Sequence, residues 1–326
     1  MTRARIIGVG SYAPKRILTN ADLEKMVETS DEWIVQRSGI RERRIADEGE
    51  ATSDLAVKAA QQALERAGLV PEDIEFIVVG TTTPDMLFPA VGNLVQQRLG
   101  CRRVGSVDLL AACAGSVYSM AVGAQFIETG KYRRILCIGA ETLSRITDWT
   151  DRGTCVLLAD AAGAAVLEAS EDGSGLIDAD LYSDGQYWEL LYMPGGGSRY
   201  PATRETIDAR MHYAKMKGSE VFKVAVRMFV ESTSALLKRH GFTAADVDLF
   251  IPHQANLRII EAAVKRVGLP MERVFINVDR YGNTGAASVY VALEEAVSAG
   301  RINRGDLVLL AAFGGGFTWG AALVRW

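Results

Sequence analysis

Apolar residues follow two alternating spacings along this chain. Leu55, Ala56, Ala59, Ala60, Ala63, Leu64 and Ala67 recur at helical intervals, opened by Ser53-Asp54 and stopped by Gly68. A short apolar run at Glu75–Val79 then reads as a strand, followed by a Thr/Pro loop at 81–89 and a helix to about Leu99. The alternation continues with a strand at Val104–Leu110, a helix from about Ala114 to Thr129 and a strand at Arg134–Gly139. Residues 156–169 read as two short strands around a Gly/Ala turn. Such alternation predicts an α/β protein with a parallel or mixed sheet covered by helices.

The second half repeats this order. Pro71–Val79 matches Ala244–Pro252, and Arg103–Cys113 matches Arg273–Asn283, each a strand feeding a loop and an Ala-rich helix. Gly130–Gly139 parallels Gly305–Gly314, and Gly163-Ala-Ala-Val-Leu parallels Gly320-Ala-Ala-Leu-Val. Four matches in one order point to an internal duplication, with halves at 1–170 and 171–326. The Gly/Tyr-rich stretch 182–217 interrupts the second half without periodicity and reads as a long functional loop or cap.

Composition narrows the chemistry. The 326 residues are 48% hydrophobic with a formal net charge of -4, too little basic surface for nucleic acid as the main partner. The four cysteines form no CxxC pair or zinc-type spacing with histidine, so no metal is expected. The N-terminal strand is neither a signal peptide nor a membrane span, since a span needs about 18 apolar residues. Reduced thiols in the cytoplasm follow as the expectation.

Cys113 lies in Asp-Leu-Leu-Ala-Ala-Cys-Ala-Gly-Ser, where a strand turns into a helix through small residues. Small neighbours leave room for a substrate, and a helix N-terminus favours thiolate. Cys101, Cys137 and Cys155 read as ordinary buried thiols. His253 closes a strand, where open α/β folds place ligands, whereas His212 and His240 read as structural. Asn283 holds in the second half the place Cys113 holds in the first. Phe313-Gly-Gly-Gly-Phe supplies backbone that can approach a carbonyl oxygen closely. Gly8-Val-Gly10-Ser-Tyr-Ala13 fits a loose dinucleotide fingerprint, but Pro14 follows at once and no acidic partner appears, so it reads as a structural turn.

At these residues the chain resembles the β-ketoacyl-ACP synthase III family, the initiating condensing enzymes of bacterial type II fatty-acid synthesis. The stretches that carry the resemblance are Thr29–Val35, Gly39–Arg43, Ala111–Gly115, Pro252–Ile260, Gly282–Thr284 and Ala312–Gly320. It runs essentially end to end and is weakest in 186–217. Elongating synthases carry a second His where Asn283 stands, and thiolases a second Cys.

The resemblance implies a thiolase fold of two βαβαβαββ halves in a five-layer αβαβα arrangement, assembled as a homodimer. It implies a Cys113, His253 and Asn283 triad, with the amides of Cys113 and Gly315 as oxyanion hole. The implied reaction condenses a short acyl-CoA with malonyl-ACP, releasing CO2 and CoA, with no cofactor or metal. CoA contacts carry over to Thr29, Trp33, Arg37, Arg152, Gly153, Phe222, Ala255 and Asn256, with adenine between Trp33 and Arg152. Ser219 stands where the family often has Asn. Acyl carrier protein docking carries over to Arg258, with Lys223, Lys265 and Arg266 near it, and Phe88 to a residue reaching the partner's acyl pocket. The competing readings are a relative that primes a specialised polyketide or uses another acceptor, a non-catalytic acyl- or CoA-binding protein, and a nicotinamide oxidoreductase.

Overall fold

The computed structural model describes residues 2–326. Nine strands form two sheets, one from each half. The first contains β1 (Arg3–Tyr12), β2 (Phe76–Gly80), β3 (Gly105–Leu109), β4 (Arg134–Thr142) and β5 (Asp160–Ser170), in the order β1-β5-β4-β2-β3. The second contains β6 (Gly175–Ser183), β7 (Leu249–Pro252), β8 (Leu307–Gly314) and β9 (Thr318–Arg325), in the order β7-β8-β9-β6. In each, a parallel pair (β2/β4, β7/β8) continues into two antiparallel pairings (β4/β5/β1, β8/β9/β6). The two sheets thus share one topology strand for strand, with β3 as the extra member of the first.

Helices complete five layers. Helix α1 (Asp31–Ser38) lies in an excursion of the chain between β1 and α2. Helices α2 (Thr52–Ala67) and α3 (Val91–Leu99) cover the outer face of the first sheet. Helix α4 (Gly115–Glu128) lies between the sheets. Helices α5 (Gly218–Arg239) and α6 (Leu257–Val267) cover the outer face of the second sheet. Helix α7 (Ser288–Ser298) joins α4 in the central layer, and both touch both sheets. The central helices read largely apolar because most of each is buried between the sheets, with polar residues such as Gln125, Glu128 and Ser298 exposed only in their last turns. Tyr290 on α7 joins them, donating to the Ser116 carbonyl at 2.9 Å and pairing with Ser119 Oγ at 3.0 Å, which satisfies a buried hydroxyl.

Three sequence expectations need correcting. The second-half counterpart of β3 is not a strand but a single bridge, Phe250 to Val274. The buried Gln254 side chain takes the ladder's place, donating to the carbonyls of Pro252 and Phe275 and accepting from the amides of Asn277 and Val278. Residues 160–170 form one unbroken strand rather than two. Gly163 inside it is a packing site, since an added Cβ would stand 2.5 Å from Tyr290 Cβ. Gly8 and Gly10 are likewise not a turn. They lie within β1, and a Cβ at either would fall 2.3 or 2.2 Å from a backbone oxygen of α2, at Ala63 and Ala59 respectively.

Candidate active site

Both central helices begin at the same end of the molecule, and their entry segments build the site. After β3 the chain reaches Ala112, whose φ of 45° is left-handed for a residue with a Cβ. A 3₁₀ turn at Ala112–Ala114 then hands Cys113 to the start of α4. Thr318 Oγ1 donates to the Ala111 carbonyl at 2.8 Å, and a Cβ on Gly314 would fall 2.5 Å from the Cys113 amide nitrogen. The end of β8 therefore has to be glycine at Gly314 for Cys113 to sit where it does.

Burial raises the Cys113 thiol to about 12, with a smaller push from the Glu141 carboxylate. This corrects the expectation of a thiolate. Desolvation outweighs the helix N-terminus, and the group is a neutral thiol in the resting protein.

His253 follows β7 and is 1% exposed. Its amide donates to the Ala311 carbonyl at 2.8 Å, and its ring meets Phe313 edge-on with centroids 5.3 Å apart. Burial lowers its imidazole to about 3, so the ring is neutral at physiological pH. Nδ1 lies 2.5 Å from Ser288 Oγ, which also faces the Gln254 amide at 3.4 Å. When the Ser288 hydroxyl donates to Nδ1, the ring proton sits on Nε2.

Asn283 is held by backbone on both sides. Its amide donates to the Leu157 carbonyl at 2.8 Å, and its carbonyl accepts from Ala159 at 2.9 Å. Its Oδ1 accepts from Gly285 N–H at 3.0 Å, which leaves the side-chain NH2 as its donor. The pseudo-symmetry with Cys113 is not residue for residue. Cys113 stands two positions before α4, inside the 3₁₀ turn that leads into it, whereas Asn283 stands five before α7, ahead of the 3₁₀ turn at Gly285–Ala287.

Cys113, His253 and Asn283 line one cavity of about 580 Å³. Trp33, Arg37, Gly153, Phe222, Ala255 and Asn256 line it as well, as do Ser219, Lys223 and Arg258. The Trp33 end is built by the excursion that carries α1, whose N-cap Ser30 accepts from the Trp33 amide. Arg37 and Arg152 place their guanidinium carbons 4.7 and 5.3 Å from the Trp33 ring centroid. A flat ring between Trp33 and Arg152 needs about 7 Å, two van der Waals contacts, so that guanidinium has to shift to admit one. Thr29 lies outside the cavity lining, with a buried Oγ1 that has no hydrogen-bond partner. Asn256 caps α6, donating to the Arg37 carbonyl and accepting from the Arg258 amide.

Other residues singled out in the sequence are not part of the cavity lining, although Gly315 adjoins Gly314 and Leu191, which are. Gly315 packs beneath the Leu191 carbonyl, 2.6 Å from where its Cβ would be. Lys265 and Arg266 are exposed in the last turn of α6. Phe88 is 84% exposed on the loop after β2. His240 pairs with Asp178 at the surface. Ser288, Gln254 and Glu141 went unnoticed in the sequence, although each bonds to the segments that carry the site. Leu191 and Met216 of the 182–217 stretch also line the cavity, so that stretch caps it. Among the described residues no cluster of His, Cys, Asp or Glu is placed to hold a metal ion, and no helix is long and apolar enough to cross a membrane.

Comparison with known proteins gives concordant matches. The family description 3-oxoacyl-[acyl-carrier-protein (ACP)] synthase III matches residues 107–185, and its C-terminal counterpart matches 237–326. A β-ketoacyl-[acyl-carrier-protein] synthase III from Caldanaerobacter subterraneus subsp. tengcongensis is 53% identical over 99% of this chain and 98% of its own. The crystal structure of a 3-oxoacyl-[acyl-carrier-protein] synthase III from Aquifex aeolicus superposes with a TM-score of 0.93 at 46% identity, covering 99% of this chain and 100% of that one. The priming β-ketosynthase of the R1128 polyketide pathway superposes at 0.91 with 33% identity, covering 98% and 96%.

Proposed function

The chain belongs to the β-ketoacyl-[acyl-carrier-protein] synthase III family, and from that premise we propose that Cys113, His253 and Asn283 carry its reaction. It is a thiolase-fold acyltransferase, a condensing enzyme that initiates fatty-acid synthesis. The observation that supports the three roles best is their convergence on one cavity that also runs to Trp33 and Arg37.

In the first half-reaction the Cys113 sulfur attacks the thioester carbonyl of a short acyl-CoA. A new C–S bond forms, the bond to CoA breaks, and the Cys113 proton leaves with the CoA sulfur. Thiol-to-thioester exchange is nearly isoenergetic, which suits a storage step. The second substrate is a malonyl thioester on acyl carrier protein. His253 Nε2–H and the Asn283 NH2 both donate, and neither carries charge to be lost. Aimed at the thioester oxygen, they stabilise the enolate formed as the carboxylate departs as CO2. The carbanion attacks the acyl-Cys113 carbonyl, whose oxygen meets the amides of Cys113 and Gly315, and collapse expels the sulfur as a thiolate that takes a proton from solvent. Loss of CO2 supplies the electron pair, so the scheme calls for no cofactor.

The CoA portion lies along Trp33, Arg37, Arg152, Gly153, Phe222, Ala255 and Asn256, and Thr29 joins them when its buried hydroxyl turns outward. Arg37, Lys223 and Arg258 bring positive charge to the cavity mouth, with Lys265 and Arg266 further along α6, a surface suited to an acidic carrier. The protein acts in the cytoplasm as a homodimer of two-half chains divided near residue 170, with Phe88 and its neighbours meeting the partner. Priming of a polyketide is the weaker reading, since the 33% likeness to a priming ketosynthase stands against 53% to a β-ketoacyl-[acyl-carrier-protein] synthase III.

The test separates the half-reactions. His253→Ala and Asn283→Ala are expected to accept an acyl group on Cys113 but to lose malonyl decarboxylation by about 10²–10³-fold. Decarboxylation at the unmodified rate in either variant overturns the assignment.

A further inference from the structure

Glu141, near the end of β4, is a carboxylate that this reaction leaves unused. Its side chain is fully buried, and no cation pairs with it among the described residues. Four donors converge on it instead. The Thr82 amide lies 3.1 Å from both oxygens, Thr82 Oγ1 at 2.9 and 3.0 Å, and Thr83 Oγ1 at 2.6 Å. Thr81 Oγ1, at 3.5 Å, is the fourth.

Glu141 lies between two segments of the site. Thr82 and Thr83 begin the loop after β2, while Ala286 lies in the turn that follows Asn283. Glu141 Cγ also fills the space beside Gly285, whose added Cβ would stand 2.8 Å away at a φ of 55°. Ala286 in turn packs on Gly115, two residues past Cys113, where a Cβ would lie 2.9 Å from its own. Four donors favour the ionised form and burial opposes it, leaving the group near 7 rather than fully protonated. The loop's other ionisable group, Asp85, turns away to Ser53. The 285–287 turn brings none, and the Glu141 charge acts on Cys113.

We propose that Glu141 is a positioning residue of this active site, fixing the Asn283 turn against the loop after β2 and, when ionised, adding to the burial that keeps Cys113 a neutral thiol. This rests on the roles given above to Cys113 and Asn283. It assigns to the buried carboxylate a duty that no substrate contact requires.

The experiment follows alkylation of Cys113 by iodoacetamide against pH, with Cys113→Ser to identify the adduct, alongside steady-state condensation. Glu141→Gln removes the charge and misplaces one donor. It is expected to move the alkylation profile down by about half a pH unit or more and to lower kcat about ten-fold, with KM for acyl-CoA within about two-fold. Glu141→Asp keeps the charge and is expected to keep the profile. A Glu141→Gln profile that overlays the parent overturns the proposal. Should that variant not fold, Thr83→Val removes the shortest hydrogen bond, leaves the carboxylate more protonated, and must shift the profile the same way. Failure of the unmodified protein to take an acyl group on Cys113 sinks the catalytic reading itself, a result distinct from an unmoved profile.

Discussion

At Cys113 two influences oppose each other, and their balance sets how the thiol behaves before substrate arrives. The helix start favours the anion, but burial raises the group to about 12. Alkylation of the substrate-free enzyme is therefore expected to quicken steadily from pH 6 to 9. A plateau below pH 8 contradicts that. His253 shows the mirror case. Its ordinary value of 6.5 is lowered to about 3, so the unfolded chain binds the extra proton first as pH falls. The associated stability is whole above 6.5 and drains as pH falls towards 3, visible as a falling thermal midpoint that His253→Asn blunts. Ser288→Ala leaves Nδ1 without its donor and frees the tautomer. An about ten-fold loss in malonyl decarboxylation with acyl loading retained is expected. Cys113, His253 and Asn283 were legible because small residues, a strand end and a repeat mark them locally. Ser288 and Glu141 were not, since Ser288 touches His253 across 35 positions and Glu141 touches Thr83 across 58.

Among elements, the close approach of strands to central helices decides where the catalytic turns lie. A Cβ on Gly139 of β4 would fall 2.1 Å from the Ala286 backbone oxygen, and one on Gly80 of β2 would fall 2.6 Å from the Gly115 oxygen. Backbone cannot yield as a side-chain tip does. Gly139→Ala is expected to cost about 1–3 kcal/mol in denaturant unfolding and to depress decarboxylation more than acyl loading, because it pushes the Asn283 turn. The repeated strands and their helices were readable from periodicity, as was the two-fold plan of the sheets. The missing counterpart of β3 was not, since its cause is the distant Gln254 side chain filling the ladder. Nor was the role of Gly8 and Gly10, which takes its meaning from α2 packed across them. The 182–217 stretch lacks periodicity because short pieces, such as Leu191–Tyr192 paired with Lys215–Met216, serve the cavity instead of a core.

For the whole molecule, the proposed homodimer would cover exposed apolar residues. Leu87 and Phe88 are 83% and 84% exposed, Leu110 is 80%, and a cavity of about 520 Å³ opens beside the same loop. Leu87→Glu is expected to shift sedimentation from dimer towards monomer. Arg258→Glu is expected to raise KM for the carrier while leaving acyl-CoA transfer intact, and an unchanged carrier KM speaks against docking there. Both predictions depend on an acyl group first resting on Cys113. The most direct measurement is the mass of the intact protein after incubation with acyl-CoA, followed by addition of malonyl-carrier. One acyl adduct per chain is expected, mapped to the Cys113 peptide and discharged as the 3-ketoacyl product forms. Undiminished condensation by Cys113→Ala, or an adduct on any other residue that turns over at the catalytic rate, contradicts the account.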